Sequence, residues 1–180
     1  MHRHILVLGV ILSGLPLAAC RVSVDRQKGT GKANVDISTP LGDVKVRTDI
    51  DAPDTGLPVY PGARPLVSRR QPDSADVDLG NQFFGVKVIA ARFTSRDDPE
   101  QVAGFYRREM QAYGDVLECR GNIDFAGPLG HRRPYCKPRR HARTIQLAAG
   151  LEDRHRLVVV KPRGDGSEMS VVYLQTRGKS

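Results

Sequence analysis

Three cysteines are the residues of this chain whose chemistry stands out. Cys20 follows an apolar run and two alanines, whereas Cys119 and Cys136 flank a segment rich in glycine and proline. A thiolate is a nucleophile that can accept a covalent group, and two thiols can form a disulfide or ligate a metal ion. The sequence therefore offers one candidate modification site and one candidate cross-link or metal site.

Residues 1–19 have the pattern of an export signal. Arg3 precedes the apolar run 5–12, which is too short for a bilayer-spanning helix of about 20 residues. The next feature is Leu17-Ala18-Ala19-Cys20, which resembles the lipobox of bacterial lipoproteins. That resemblance implies a diacylglyceryl group on the Cys20 sulfur and palmitate-type acyl chains that hold the protein on a membrane. The alternatives are a secreted protein with an incidental cysteine and an uncleaved apolar segment.

Arg21 bears on which membrane this would be. In Gram-negative lipoproteins, an aspartate directly after the lipidated cysteine keeps the protein in the inner membrane. Because Arg21 stands at this position, the resemblance implies an outer-membrane lipoprotein that faces the periplasm.

Cys119 and Cys136 remain for the exported domain once Cys20 is set aside. The compartment outside the inner membrane is oxidising, so these two cysteines are expected to form a disulfide. A metal site of Cys119, His131, Cys136 and His141 has suitable ligands, but its spacing matches no common zinc pattern and the neighbouring arginines oppose a cation. Free thiols are the third alternative.

A basic run occupies residues 131–143 and contains six lysines and arginines but no acid. Most of the formal net charge of +8 comes from these six residues: Arg132, Arg133, Lys137, Arg139, Arg140 and Arg143. The run either keeps a loop solvated or contacts an anionic envelope component, namely anionic lipid, lipopolysaccharide or a cell-wall polymer. Export and the lack of aromatic residues beyond Tyr135 argue against nucleic acid as a partner.

No motif in the chain predicts catalysis. Residues 29–32 (Gly-Thr-Gly-Lys) lack the upstream glycine and the following Ser or Thr of a phosphate-binding loop, and residues 163–165 (Arg-Gly-Asp) are typical of a turn. We therefore expect no catalytic residue, no metal and no cofactor. A concave pocket with clustered polar side chains beside His141 or His155 would instead favour an enzyme acting on envelope polymers.

The composition indicates one small domain. The 180 residues are 39% hydrophobic and include 18 glycines and 12 prolines, which favours strands and turns over long helices. We divide the chain into a signal peptide (1–19), a flexible tether (20–34), a β-hairpin with a linker (35–56) and an α+β domain (57–177).

The pattern of the domain predicts one helix. Asp98 can cap it, Pro99 suits its first turn, Gln101 completes a capping box and Gly114 ends it. Apolar residues then recur at helical spacing and predict a face packed on a sheet: Val102, Phe105, Tyr106, Met110 and Tyr113.

Strands are predicted on both sides of this helix, over residues 85–93, 116–119, 143–149, 156–161 and 169–176. Short turn-rich separations make the last three an antiparallel meander. The predicted fold class is α+β: an antiparallel β-sheet with one main α-helix packed across it, plus an N-terminal β-hairpin.

Several segments also look like a bacterial envelope-protein family that has no assigned activity. They include Val59-Tyr60-Pro61-Gly62-Ala63, Phe105-Tyr106-Arg107-Arg108-Glu109-Met110, residues 113–119, residues 35–42 and Val171-Val172-Tyr173. The resemblance covers most of residues 35–177, implies one compact domain and carries no catalytic residues. We therefore expect a lipid-anchored, non-enzymatic binding or assembly module whose basic loop faces anionic envelope components. The alternative is an enzyme acting on envelope polymers.

Overall fold

The computed structural model describes residues 21–26, 33–39, 42–48, 52–66, 74–125, 134–151 and 153–178. The predicted signal peptide, Cys20, His131, Arg132 and Arg133 lie outside these residues. The helix α1 spans Pro99–Met110, and single 3₁₀ turns span Ala52–Thr55 and Gln111–Tyr113. The strands are β1 (Arg21–Arg26), β2 (Ala33–Thr39), β3 (Gly42–Arg47), β4 (Arg64–Pro65), β5 (Ser74–Gly80), β6 (Phe84–Ser95), β7 (Leu117–Asp124), β8 (Tyr135–Pro138), β9 (Ile145–Leu151), β10 (Arg154–Arg163) and β11 (Gly166–Gly178).

These strands form one antiparallel sheet in the order β1-β2-β3-β5-β6-β11-β10-β9-β7-β8, with β4 paired to β6. The described chain is therefore broadly α+β but consists mostly of sheet. The predicted meander is confirmed, because β9, β10 and β11 follow one another as neighbouring antiparallel strands.

The helix begins and ends where the sequence predicts. The Asp98 carboxylate accepts hydrogen bonds from the N–H groups of Glu100 (2.8 Å) and Gln101 (3.0 Å), which would otherwise be unpaired at a helix start. At the other end, Gly114 has a φ of +115°, which favours glycine.

The core lies between α1 and one face of the sheet. Val102, Tyr106 and Met110 of the helix are fully buried, and Phe105 and Tyr113 pack at the margin of the same cluster. The sheet contributes alternate residues of its central strands: Ile89, Ala91, Phe93, Leu147, Ala149, Val158, Val160, Met169 and Val171. The predicted apolar face of the helix thus packs on the sheet.

The N-terminal hairpin belongs to the same sheet as the domain. β2 pairs with β3, and β3 then pairs with β5, a strand that the sequence interpretation missed. Residues Arg21–Arg26, expected to be flexible tether, form β1 and pair with β2. In both segments alternate apolar residues, such as Val22 and Val24, mark a strand.

Candidate functional site: a basic turn joined to a disulfide

Cys119 on β7 and Cys136 on β8 form a disulfide, with their Cα atoms 5.4 Å apart. The predicted bond is confirmed, although the segment it closes has more structure than expected. β7 continues to Asp124, and β8 pairs with it from Tyr135 to Pro138. The disulfide therefore joins neighbouring strands at an edge of the sheet.

Gly121 allows these two strands to approach closely. Its φ is +155°, and a Cβ atom placed there would lie 2.2 Å from the Lys137 carbonyl oxygen. Both observations exclude a larger residue without a backbone shift.

The chain reverses directly after β8. The Arg139 N–H donates to the Arg120 carbonyl (3.0 Å), and the Ala142 N–H donates to the Arg139 carbonyl (3.2 Å). His141 completes the reversal with a φ of +60°, a left-handed conformation that is uncommon outside glycine. We call residues 139–143 the basic turn.

Three arginines of the basic turn face solvent. Arg139, Arg140 and Arg143 are all exposed, and none of them forms an ion pair within the part of the chain that the structure describes. Guanidinium groups bind phosphates and carboxylates through paired N–H donors. The turn therefore presents concentrated positive charge that is not neutralised by the described acids.

Lys137 differs from these arginines, although the sequence analysis predicted it to belong to the same anion-binding site. Its Nζ lies 2.7 Å from an Asp124 carboxylate oxygen and 5.2 Å from the centre of the Tyr135 ring. The hydrogen bond to Asp124 is the main cause that raises the pKa of Lys137. Its charge is thus matched by a carboxylate on the neighbouring strand.

The alternative metal site would need the thiols of Cys119 and Cys136, but these two residues form the disulfide. Among the described residues, no group of three or more His, Cys, Asp or Glu side chains could hold a metal ion. His141 is exposed on the basic turn, next to arginines that would repel a cation.

A separate cleft of about 670 Å³ lies beside His155, between the end of α1 and strands β7 and β9. His155 is 5% exposed, and its ring centre lies 5.3 Å from that of Phe125. Tyr113 and Asp115 are the other polar side chains, and the lining residues described include no Ser, Cys or Lys. The cleft thus combines three polar side chains with apolar residues such as Val116, Leu117 and Leu151.

Sequence reasoning missed a second charged group. Arg92, Lys161 and Arg163 surround the Glu168 carboxylate at 2.8, 3.2 and 3.2 Å. These residues come from β6, β10 and β11. Only the pairing of the strands brings them together, so no local pattern could have found the cluster.

The described chain is thus a sheet-rich α+β protein with a disulfide at the edge of the sheet that carries the basic turn. No known protein family, curated protein or solved structure matches this chain. Within the described ranges, no helix is both long and apolar enough to cross a membrane.

Proposed function

We propose that the protein is a lipid-anchored protein of the cell envelope whose domain binds anionic groups without catalysing a reaction. The anchor is an acylated Cys20, and the membrane is the outer membrane on its periplasmic side. The run 17–20 and the following Arg21 support this assignment.

The observation that carries the binding function is the basic turn. Arg139, Arg140 and Arg143 lie within five residues of chain, and the strand before them is linked to β7 through Cys136. Backbone hydrogen bonds hold the turn, so its backbone loses little conformational entropy when a ligand binds.

The position of the turn favours one anionic component over the others. The turn follows β8, the strand at the opposite end of the strand order from β1. Nine strand-to-strand spacings of about 4.8 Å separate these two strands, which corresponds to about 43 Å along the sheet. Cys20 directly precedes β1, so the head groups that surround the anchor itself are nearest to the other edge of the sheet. We therefore assign the turn to an acidic polymer of the cell wall.

The test is titration of the processed, disulfide-bonded protein with polygalacturonate, a carboxylate-bearing polymer. Binding should weaken as salt is raised, and Arg139→Gln, Arg140→Gln and Arg143→Gln together should weaken it about tenfold or more. A matched control removes the same charge from three other exposed arginines: Arg64→Gln, Arg96→Gln and Arg108→Gln.

The control variant should bind as the wild type does. Equal loss in both triple variants, or binding that is insensitive to salt, would overturn the role of the basic turn. Binding to phosphatidylglycerol vesicles or lipopolysaccharide without binding to the polymer would overturn the assignment to the cell wall.

A further inference from the structure

Two rows of aliphatic side chains cross the face of the sheet that lies opposite α1. Strand register places residues of neighbouring strands directly opposite one another, and such residues share a face. The first row comprises Val22, Ile37, Val44, Leu79 and Val86. The second row comprises Val24, Val35, Val46, Val77, Val88 and Leu174. We call these two rows the aliphatic face.

The polarity of the sheet is inverted in this region. On β6, Ile89, Ala91 and Phe93 point toward the helix, and Val86 and Val88 point the opposite way. On β3 and β5, the positions on the helix side are charged, as at Lys45 and Asp76. A sheet with one aliphatic face and one polar face needs an apolar partner on the aliphatic side.

The aliphatic face is most exposed at its β1 edge. Val22 and Val24 are 60% and 50% exposed, and Leu79 is 38% exposed. These exposed side chains are not isolated on the surface, because they continue directly into the two rows. An apolar surface of this kind marks an interaction site.

Two aromatic side chains extend the face at one end of the sheet. Phe83 and Phe84 are 64% and 51% exposed in the turn between β5 and β6. The Asn81 side chain accepts hydrogen bonds from the N–H groups of Phe83 (2.8 Å) and Phe84 (2.9 Å), which holds the turn in one conformation. The turn thus presents both rings to solvent.

The chain enters the sheet at this same end. Arg21 pairs with Ser38 near the end of β2, and β3 begins at Gly42. Asp43 on β3 pairs with Gly80, which precedes the turn that carries Phe83 and Phe84. In the sequence, Cys20 is the residue directly before Arg21, and one residue spans at most about 3.6 Å. An acyl chain on Cys20 would hold the most exposed edge of the face at the bilayer surface.

Cationic side chains border the opposite end of this face. Arg92, Lys161 and Glu168 occupy positions on the same side of the sheet, and Arg163 adds a third cation around the single Glu168 carboxylate. The local excess of positive charge is complementary to anionic lipid head groups.

We propose that the aliphatic face lies on the bilayer that carries the lipid anchor, with Phe83 and Phe84 inserted at the level of the acyl chains. The proposal rests on the proposed lipidation of Cys20 for its choice of partner. The occupant is a lipid surface rather than a second copy because the chain reaches the face directly from the acylated residue, with no spacer between them. Amphipathic surfaces bind at this depth through buried apolar area and attraction to anionic lipids.

The test uses the processed protein reconstituted into vesicles of phosphatidylethanolamine and phosphatidylglycerol. The chain contains no tryptophan, so Phe83→Trp introduces a single tryptophan, and the quenching of its fluorescence by brominated acyl chains reports its depth. The matched control is Val59→Trp, at a position 38% exposed in the segment that precedes the core residue Tyr60. We expect strong quenching at position 83 and none at position 59.

A second pair of variants tests the face itself. Val22→Asp with Val24→Asp, combined with Phe83→Trp, should reduce the quenching, whereas Ser23→Asp on the opposite side of β1 should leave it unchanged. Equal quenching at positions 59 and 83, or equal effects of the two β1 variants, would overturn the proposal. Absence of quenching together with a stable dimer in cross-linking would assign the face to a second copy instead.

The mass of the reconstituted protein separates the two proposals. An acylated Cys20 without quenching contradicts the aliphatic-face proposal alone. An unmodified Cys20 contradicts the anchor, and quenching of the unmodified protein on added vesicles would then support the face independently.

Discussion

The Cys119 and Cys136 side chains join two neighbouring antiparallel strands through a disulfide, with Cα atoms 5.4 Å apart. Replacing both with alanine frees the unfolded chain from the closed segment and should lower the free energy of unfolding by about 3 kcal/mol. Urea unfolding measures this difference. Wild-type protein under reducing conditions is the control and should match the variant, whereas no loss of stability in either sample would contradict a stabilising bond.

Asp98 caps the helix that covers the core. Asp98→Ala removes the acceptor for the N–H groups of Glu100 and Gln101, so the free energy of unfolding should fall by about 1 kcal/mol. Thermal unfolding provides the measurement. Asp115→Ala, at an exposed carboxylate beyond the end of the helix, should change stability by less than about 0.5 kcal/mol. Equal effects of the two substitutions would contradict the capping role.

Tyr106 is fully buried, and its hydroxyl accepts a hydrogen bond from the Tyr60 N–H at 3.2 Å. Burial raises the pKa of Tyr106 to about 12, so the side chain is neutral over the physiological range. Tyr106→Phe leaves the Tyr60 N–H without this acceptor and should destabilise the protein by about 1–3 kcal/mol in urea unfolding. Tyr173→Phe, which removes a half-buried hydroxyl, is the control. An equal loss of unfolding free energy in Tyr173→Phe would contradict the role of the buried hydrogen bond.

Glu168 should make stability depend on acidic pH. Burial alone raises the pKa of this carboxyl, but hydrogen bonds from Arg92 and Lys161 and their charges outweigh burial, so the pKa lies below its ordinary value of 4.5. The native state therefore holds the carboxylate at a pH where the unfolded chain binds a proton. This stabilisation is complete above about pH 4.5 and is lost as the pH falls through the lowered native pKa.

Glu168→Gln should accordingly reduce the acid dependence of the unfolding free energy and lower stability near pH 7, because three cations lose their carboxylate. Chemical unfolding at a series of pH values between 3 and 7 measures both effects. Glu109→Gln is the matched control and should keep the wild-type slope. An unchanged slope in the Glu168 variant would show that the carboxylate is not held in the native ion cluster.

The features that the sequence predicted correctly depend on local chemistry. The helix cap at Asp98 and the helix end at Gly114 are set by residues a few positions apart, and the apolar face of α1 by helical periodicity. The disulfide was predicted from the number of cysteines left after Cys20 and from the expectation that the domain is exported to an oxidising compartment.

The features that were missed depend on which strands become neighbours. Val22 and Val24 alternate with polar residues, but the nearby glycines at 29 and 31 favoured a flexible segment. The pairing of Lys137 with Asp124 exists only because β8 folds back on β7. The aliphatic face could not be assigned to one side because the sequence does not show which face of the sheet the helix covers.

The most direct test of the lipid anchor is the intact mass of the protein extracted from envelope membranes. We expect a chain that begins at Cys20, carries a diacylglyceryl group with its acyl chains, and lacks the two thiol hydrogens of Cys119 and Cys136. Cys20→Ala should abolish the lipid and its processing. A wild-type protein with an unmodified Cys20, or one cleaved at another residue, would contradict the lipid anchor.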